Sequence, residues 1–123
     1  PYTAGLRQSL QAQQGEPLAA RVRTLLRAML SNRRCTAFFI ARQLGLSRRT
    51  LDRRLAAEDT SFHPLLEEVR RDVASGQVER STRSMAEIAG LLGFASAASF
   101  NSWFATAFGM PPGQWRRQSL GQG

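Results

Sequence analysis

Apolar residues recur at helical spacing from Pro17 onward. Leu18, Val22, Leu25, Leu26, Met29 and Leu30 form one stripe, with Arg21, Arg23 and Arg27 mostly off it, which predicts an amphipathic helix. Pro17 suits the first turn of that helix, where its missing N–H has no intrahelical acceptor to lose. A short helix is expected from about Thr36 to Leu44, with Phe38, Ile40, Ala41 and Leu44 as its apolar contacts. It should stop at Gly45, which reaches the left-handed conformation cheaply. Ser47 then caps a third helix. Its buried pair is Leu51 and Leu55, so Arg48, Arg49, Asp52 and Arg53 project away from the core.

Ser61 is expected to cap a longer helix in which Phe62, Leu65, Leu66, Val69 and Val73 repeat at helical spacing, with Pro64 in the first turn and Gly76 weakening the end. About 15 residues at about 1.5 Å each give a rod of roughly 23 Å. Arg80 to Arg83 reads as a polar connection. Ser84 caps a short helix carrying Met85, Ile88, Ala89 and Leu92, which Gly93 ends. Ser96 caps the next, with Phe100, Trp103, Phe104, Ala107 and Phe108 as its stripe before Gly109, and Pro111-Pro112 opens a final short helix holding Trp115. No alternating Val/Ile/Thr run suggests a strand, so the fold is expected to be all-α.

The pattern contains an internal repeat. Ile40-Ala41-Arg42-Gln43-Leu44-Gly45-Leu46 aligns with Ile88-Ala89-Gly90-Leu91-Leu92-Gly93-Phe94 at an offset of 48, and Leu51 and Leu55 align with Phe100 and Phe104 at 49. Each copy has a small residue where two helices cross, a Gly at the turn, and a second helix with one buried and one free face. Those are the needs of a helix-turn-helix. Two such units on one rod can place their second helices in successive major grooves of B-DNA, roughly 34 Å apart.

Charge sharpens this picture. The 123-residue chain carries a formal net charge of +8, and all 17 basic residues are arginine. A strongly basic small domain points to a polyanion, with DNA or RNA ahead of an acidic membrane surface. Residues 1 to 60 hold 11 Arg against 4 acidic side chains, whereas residues 61 to 123 hold 6 against 5, so the halves differ as +7 to +1. The electrostatic footprint therefore belongs on the first unit. Cys35 is the single cysteine and His63 the single histidine, which leaves no ligand set for zinc or haem, and no cofactor is expected. No apolar run has the length of a membrane span and no signal-peptide pattern is present, so a cytoplasmic place, at the nucleoid, is expected. The chain begins at Pro1 without an initiator Met and is read as a fragment.

From about Pro17 to Arg117 the sequence resembles the C-terminal domain of the AraC/XylS family of bacterial transcription regulators. The resemblance is carried by Ser47-Arg48-Arg49-Thr50-Leu51-Asp52-Arg53-Arg54-Leu55, the Phe62 to Val73 segment with Arg70, Ile88-Ala89, Leu92-Gly93-Phe94, Phe100, Phe104, Gly109, Pro112 and Trp115-Arg116. It implies about seven helices forming two helix-turn-helix subdomains joined by a linker helix. Residues 17–119 would be that domain: a first subdomain over 17–59, the linker helix over 61–79 and a second subdomain over 84–118. Residues 1–16 would be an interdomain linker or flexible N-terminal segment, and a sensor or dimerisation domain would lie outside the chain. Double-stranded DNA is the implied partner, with RNA polymerase as a second.

By the same resemblance the base-reading positions of the first recognition helix are Arg49, Asp52 and Arg53, with Arg48 placed for a phosphate or a base edge. The Arg53 guanidinium can contact guanine O6 and N7 together. Asp52 can accept from cytosine N4 or orient Arg48 or Arg49 through an ion pair. Ser47 and Thr50 offer hydroxyls to phosphate, although capping is an equally good use of Ser47. Arg33, Arg34 and Arg42 are backbone-contact candidates or solvated, and Arg70 is expected to pair with a carboxylate between subdomains.

The second unit departs from the family pattern, which has basic residues near Ser102, Ala105 and Thr106. From Ser84 to Gly109 there is no basic residue and one acidic one, Glu87. Weak, sequence-tolerant docking through Ser96, Ser99, Asn101 and Ser102 is expected there. The alternative is a mixed module whose second unit contacts RNA polymerase or a co-regulator, for which an exposed Trp103 would be a sign. An enzyme is not expected: no carboxylate and base share a motif, no glycine loop cradles phosphate, and Cys35 and His63 lack a third partner.

Overall fold

The computed structural model describes residues 15–32 and 35–122. Most of the expected N-terminal segment 1–16 and both Arg33 and Arg34 lie outside the described residues. Within them are seven α-helices and no strand: α1 (Leu18–Met29), α2 (Ala37–Gln43), α3 (Arg48–Ala57), α4 (Phe62–Arg80), α5 (Met85–Leu91), α6 (Ala97–Phe108) and α7 (Pro112–Gln122). The first unit packs α2 and α3 against α1; the second packs α5 and α6 together, with α7 beside them; α4 touches both. No helix among the described residues is long and apolar enough to cross a membrane.

The repeat holds at the level of single hydrogen bonds. Leu46 N–H donates to the Ala41 carbonyl at 2.9 Å, and Phe94 N–H donates to the Ala89 carbonyl at 2.9 Å. Gly45 and Gly93 occupy the left-handed region at φ 72° and 81°. The two glycines differ in their surroundings. A Cβ on Gly45 would meet nothing, whereas one on Gly93 would lie 2.6 Å from the backbone oxygen of Leu30, at the end of α1. The turn of the second unit thus rests directly on the first.

Pro17 takes the position just before α1 rather than a place in its first turn. Having no capping side chain, it leaves the leading N–H groups of the helix to another partner. That partner is Glu58, at the end of α3, whose Oε2 accepts from Leu18 N–H at 2.8 Å and whose Oε1 accepts from Ala19 N–H at 3.0 Å. A carboxylate there also faces the positive end of the helix dipole. Glu58→Ala should therefore lower stability by about 1 kcal/mol, as loss of a good N-cap does, and a thermal melt against wild type reads the shift directly.

Ser61 stands at the start of α4 but makes no side-chain capping bond. The linker helix is also longer than expected: it continues through Gly76 to Arg80, 19 residues in all, or about 28 Å at about 1.5 Å per residue. An interior Gly costs a helix roughly 1 kcal/mol, but here Ala74 and Val78 on either side are fully buried. The Arg116 guanidinium closes the helix end from α7, donating to the Val78 carbonyl at 2.9 Å and to the Arg83 carbonyl at 2.8 Å.

Both units are fastened to α4 by polar contacts as well as apolar burial. On one side Arg23 pairs with Glu68, and Arg27 pairs with Asp72 at 2.6 Å. On the other, Trp103 Nε1 donates to Glu67 and Trp115 Nε1 to Glu79, each at 3.0 Å. Arg70 pairs with Glu67 of its own helix at 3.1 Å, so its carboxylate does not come from either subdomain. Its guanidinium instead reaches the second unit by lying 5.3 Å from the centre of the Phe94 ring.

The cores of the two units differ in kind. The first is aliphatic, built on Val22, Leu26, Ile40, Leu51 and Leu55, all fully buried. Around buried Phe100 and Phe104 the second gathers Phe94, Trp103, Phe108 and Trp115, with Phe104 and Phe108 stacked at 4.3 Å.

Candidate nucleic-acid interface

On α3 the burial of Leu51 and Leu55 fixes which way every other side chain faces. Arg48, Arg49, Asp52, Arg53 and Arg54 are exposed, and Thr50 is half-buried. Ser47 caps the helix: its Oγ accepts from Thr50 N–H at 3.1 Å and donates to Thr50 Oγ1 at 3.0 Å. The cap uses the Ser47 proton but leaves that of the Thr50 hydroxyl free. A backbone acceptor such as a phosphate oxygen can take it.

The charges on this face are divided. Arg48 Nε lies 3.8 Å from Asp52 Oδ2, both well exposed, so Asp52 stands where it orients Arg48 by a weak surface pair. Arg49 and Arg53 make no ion pair or hydrogen bond among the described residues. Two guanidiniums with every donor uncommitted thus stand on one rigid helix face. Arg54 on the same helix and Arg21, Arg80 and Arg117 outside it are likewise unpaired among the described residues, whereas Arg23, Arg27, Arg70 and Arg116 hold the fold, and Arg42 lies 5.9 Å from the Phe38 ring centre.

On α6 the equivalent cap recurs. Ser96 Oγ accepts from Ser99 N–H at 3.1 Å, and the two hydroxyls share a further bond at 3.1 Å. Asn101 and Ser102 are exposed beside them. The Ser84 to Glu87 capping box occupies the one acidic residue of the unit. Its S-x-x-E spacing was legible in the sequence. Trp103 is partly buried, with its N–H bound to Glu67, which removes the exposed ring that a protein partner would have used.

The reactive side chains do not assemble. His63 is exposed on α4, and no group of three or more His, Cys, Asp or Glu able to hold a metal exists among the described residues. Burial pushes the Cys35 thiol up, and nearby Arg70 offsets part of that. At pH 8 Cys35 should consequently react with a chromogenic disulfide reagent more slowly than a free cysteine, with the rate climbing further as pH rises. A rate equal to free cysteine contradicts the burial.

The helix-turn-helix domain family matches residues 40–118. VirS, an HTH-type transcriptional regulator of Mycobacterium tuberculosis, is 39% identical over 99 residues, covering 80% of this chain and 29% of VirS. The chain thus spans under a third of the length of that relative. A DNA-binding transcriptional dual regulator from Escherichia coli K-12 has a similar structure, with TM-score 0.77 and 27% identity over 85% of this chain and 94% of the other. The DNA-binding domain of AdpA, a global transcriptional factor solved in complex with a target DNA, gives TM-score 0.71 and 25% identity over 88% and 96%.

Proposed function

Because the chain belongs to the AraC-type family of helix-turn-helix transcription regulators, whose function is DNA binding rather than catalysis, we propose that residues 17–119 bind duplex DNA sequence-specifically with α3 in a major groove. The observation that carries this is the pair of uncommitted guanidiniums, Arg49 and Arg53, on the exposed face of a helix whose other face is locked by Leu51 and Leu55. Arg53 reads guanine. Arg49 reads the neighbouring base, and Arg48, Ser47 and Thr50 meet phosphate, with Asp52 holding Arg48 in place. The second unit docks in the next groove through Ser96, Ser99, Asn101 and Ser102. AdpA, whose DNA-binding domain is solved in complex with a target DNA, supports a DNA-binding role for this frame.

The rest of the regulator completes the reading. A sensor or dimerisation domain outside these residues, contact with RNA polymerase, and a cytoplasmic place at the nucleoid go with it. The 29% of VirS that the chain spans supports the further domain.

Selection from a random duplex library tests the function. The chain should enrich a defined site and prefer it to scrambled duplex by about a thousandfold or more at fixed salt, the range of specific binders. Equal affinity for selected and scrambled duplex would refute specific recognition and leave only charge-driven binding.

A further inference from the structure

The exposed face of α6 runs through Ala98, Asn101, Ser102, Ala105 and Thr106, spaced i, i+3, i+4, i+7 and i+8. All but the partly covered Ala105 are exposed. By the 49-residue offset Ala98, Asn101 and Ser102 correspond to Arg49, Asp52 and Arg53, the base-reading positions proposed for α3, and Ala105 and Thr106 continue the same face by one turn. Ser96 and Ser99 are tied to one another at the cap, whereas the Asn101 amide makes no hydrogen bond among the described residues.

The chemistry of the stripe is selective by what it holds. Bidentate reading of guanine takes Arg or Lys, and accepting from cytosine N4 takes a carboxylate. The stripe has neither. An asparagine amide matches adenine N6 and N7 together, and the methyl groups of Ala and Thr match the C5-methyl of thymine. We propose that the second unit selects A·T pairs, with Asn101 bonded to adenine and Ala98 and Thr106 packed on thymine methyls. The inference rests on the DNA-reading function above and gives its second groove a base preference in place of sequence-tolerant docking. Since no basic side chain lies between Ser84 and Gly109, α5 and α6 release few counter-ions, and their share of binding depends little on salt. The operator is therefore asymmetric: a guanine-bearing, salt-sensitive half-site for α3 and an A·T half-site for α6.

The same library selection tests this with the wild-type chain, Asn101→Ala and Asn101→Arg, after circular dichroism has shown that the exposed substitutions leave the helices formed. Wild type should enrich guanine in one half-site and adenine, by about tenfold, in the other, about one helical turn away. N101A should lose the adenine alone, and N101R should exchange it for guanine. Replacing thymine by uracil in the second half-site should weaken wild-type binding several-fold without changing its salt slope. A second half-site with no base preference, with guanine preferred by wild type, or with adenine retained by N101A overturns the inference while a selected first half-site keeps the function standing. Absence of enrichment in both overturns the function as well.

Discussion

Gly93→Ala should destabilise the domain by about 2 to 5 kcal/mol. An L residue in the left-handed region costs about 1 to 2 kcal/mol, and Gly93 sits there at φ 81°. The added Cβ would also stand 2.6 Å from the Leu30 oxygen, a backbone atom with no rotamer to yield, and relieving such overpacking costs about 1 to 3 kcal/mol more. Gly45→Ala is the internal control. It has the same turn geometry and nothing within 4 Å of the new Cβ, so only the conformational cost remains. Melting curves should show a loss of roughly 10 °C or more for G93A and about half that or less for G45A. Equal losses would mean that the second turn does not bear on α1.

That asymmetry matters for recognition, because the contact of Gly93 with Leu30 is one of the places where the units meet. Others run through α4, where Glu67 and Glu79 hold the two tryptophans and Glu68 and Asp72 hold Arg23 and Arg27. Two recognition helices fastened to one rod keep a set separation. A half-site spacing is then a property of the fold itself.

Arg53→Ala should cost about 1 to 3 kcal/mol of specific affinity, or about 5-fold to 150-fold, and should erase the guanine preference at one position. Nothing in the fold depends on this side chain, which is exposed and unpaired, so stability should stay within about 0.5 kcal/mol of wild type. Arg48→Ala should behave differently. A phosphate contact carries no base information, and its loss should weaken binding to all duplexes alike and reduce the salt slope by about 0.9. The two arginines thus separate reading from anchoring on one helix.

Much of this was legible in the sequence because it is local. The Gly45 and Gly93 turns, the caps at Ser47, Ser84 and Ser96, and the Leu51/Leu55 and Phe100/Phe104 pairs each depend on residues within one or two helical turns, and a repeated pattern shows them twice. What the pattern did not reveal spans the chain. Glu58 caps α1 across 39 and 40 residues, and Glu67 meets Trp103 across 36; no spacing rule links such partners. Gly76 reads as a weak point by propensity alone, but Ala74 and Val78 on either side of it are buried and Arg116 arrives from α7 at the helix end. Arg23 and Arg27 of α1 count toward the basic footprint in the sequence for the same reason, since their carboxylates, Glu68 and Asp72, lie on α4. On α3 the exposed positions followed from the Leu pair alone, and the structure adds which arginines remain unpaired.

The most direct measurement of the central claim is a double-mutant cycle between Arg53 and the guanine of the selected first half-site, using fluorescence anisotropy at fixed salt. Arg53→Ala and replacement of the guanine by adenine should each weaken binding by about 5-fold to 150-fold, and the two together should weaken it no more than either one, because both remove the same contact. Additive losses, or an equal loss for Arg53→Ala on scrambled duplex, would show that Arg53 does not read that base.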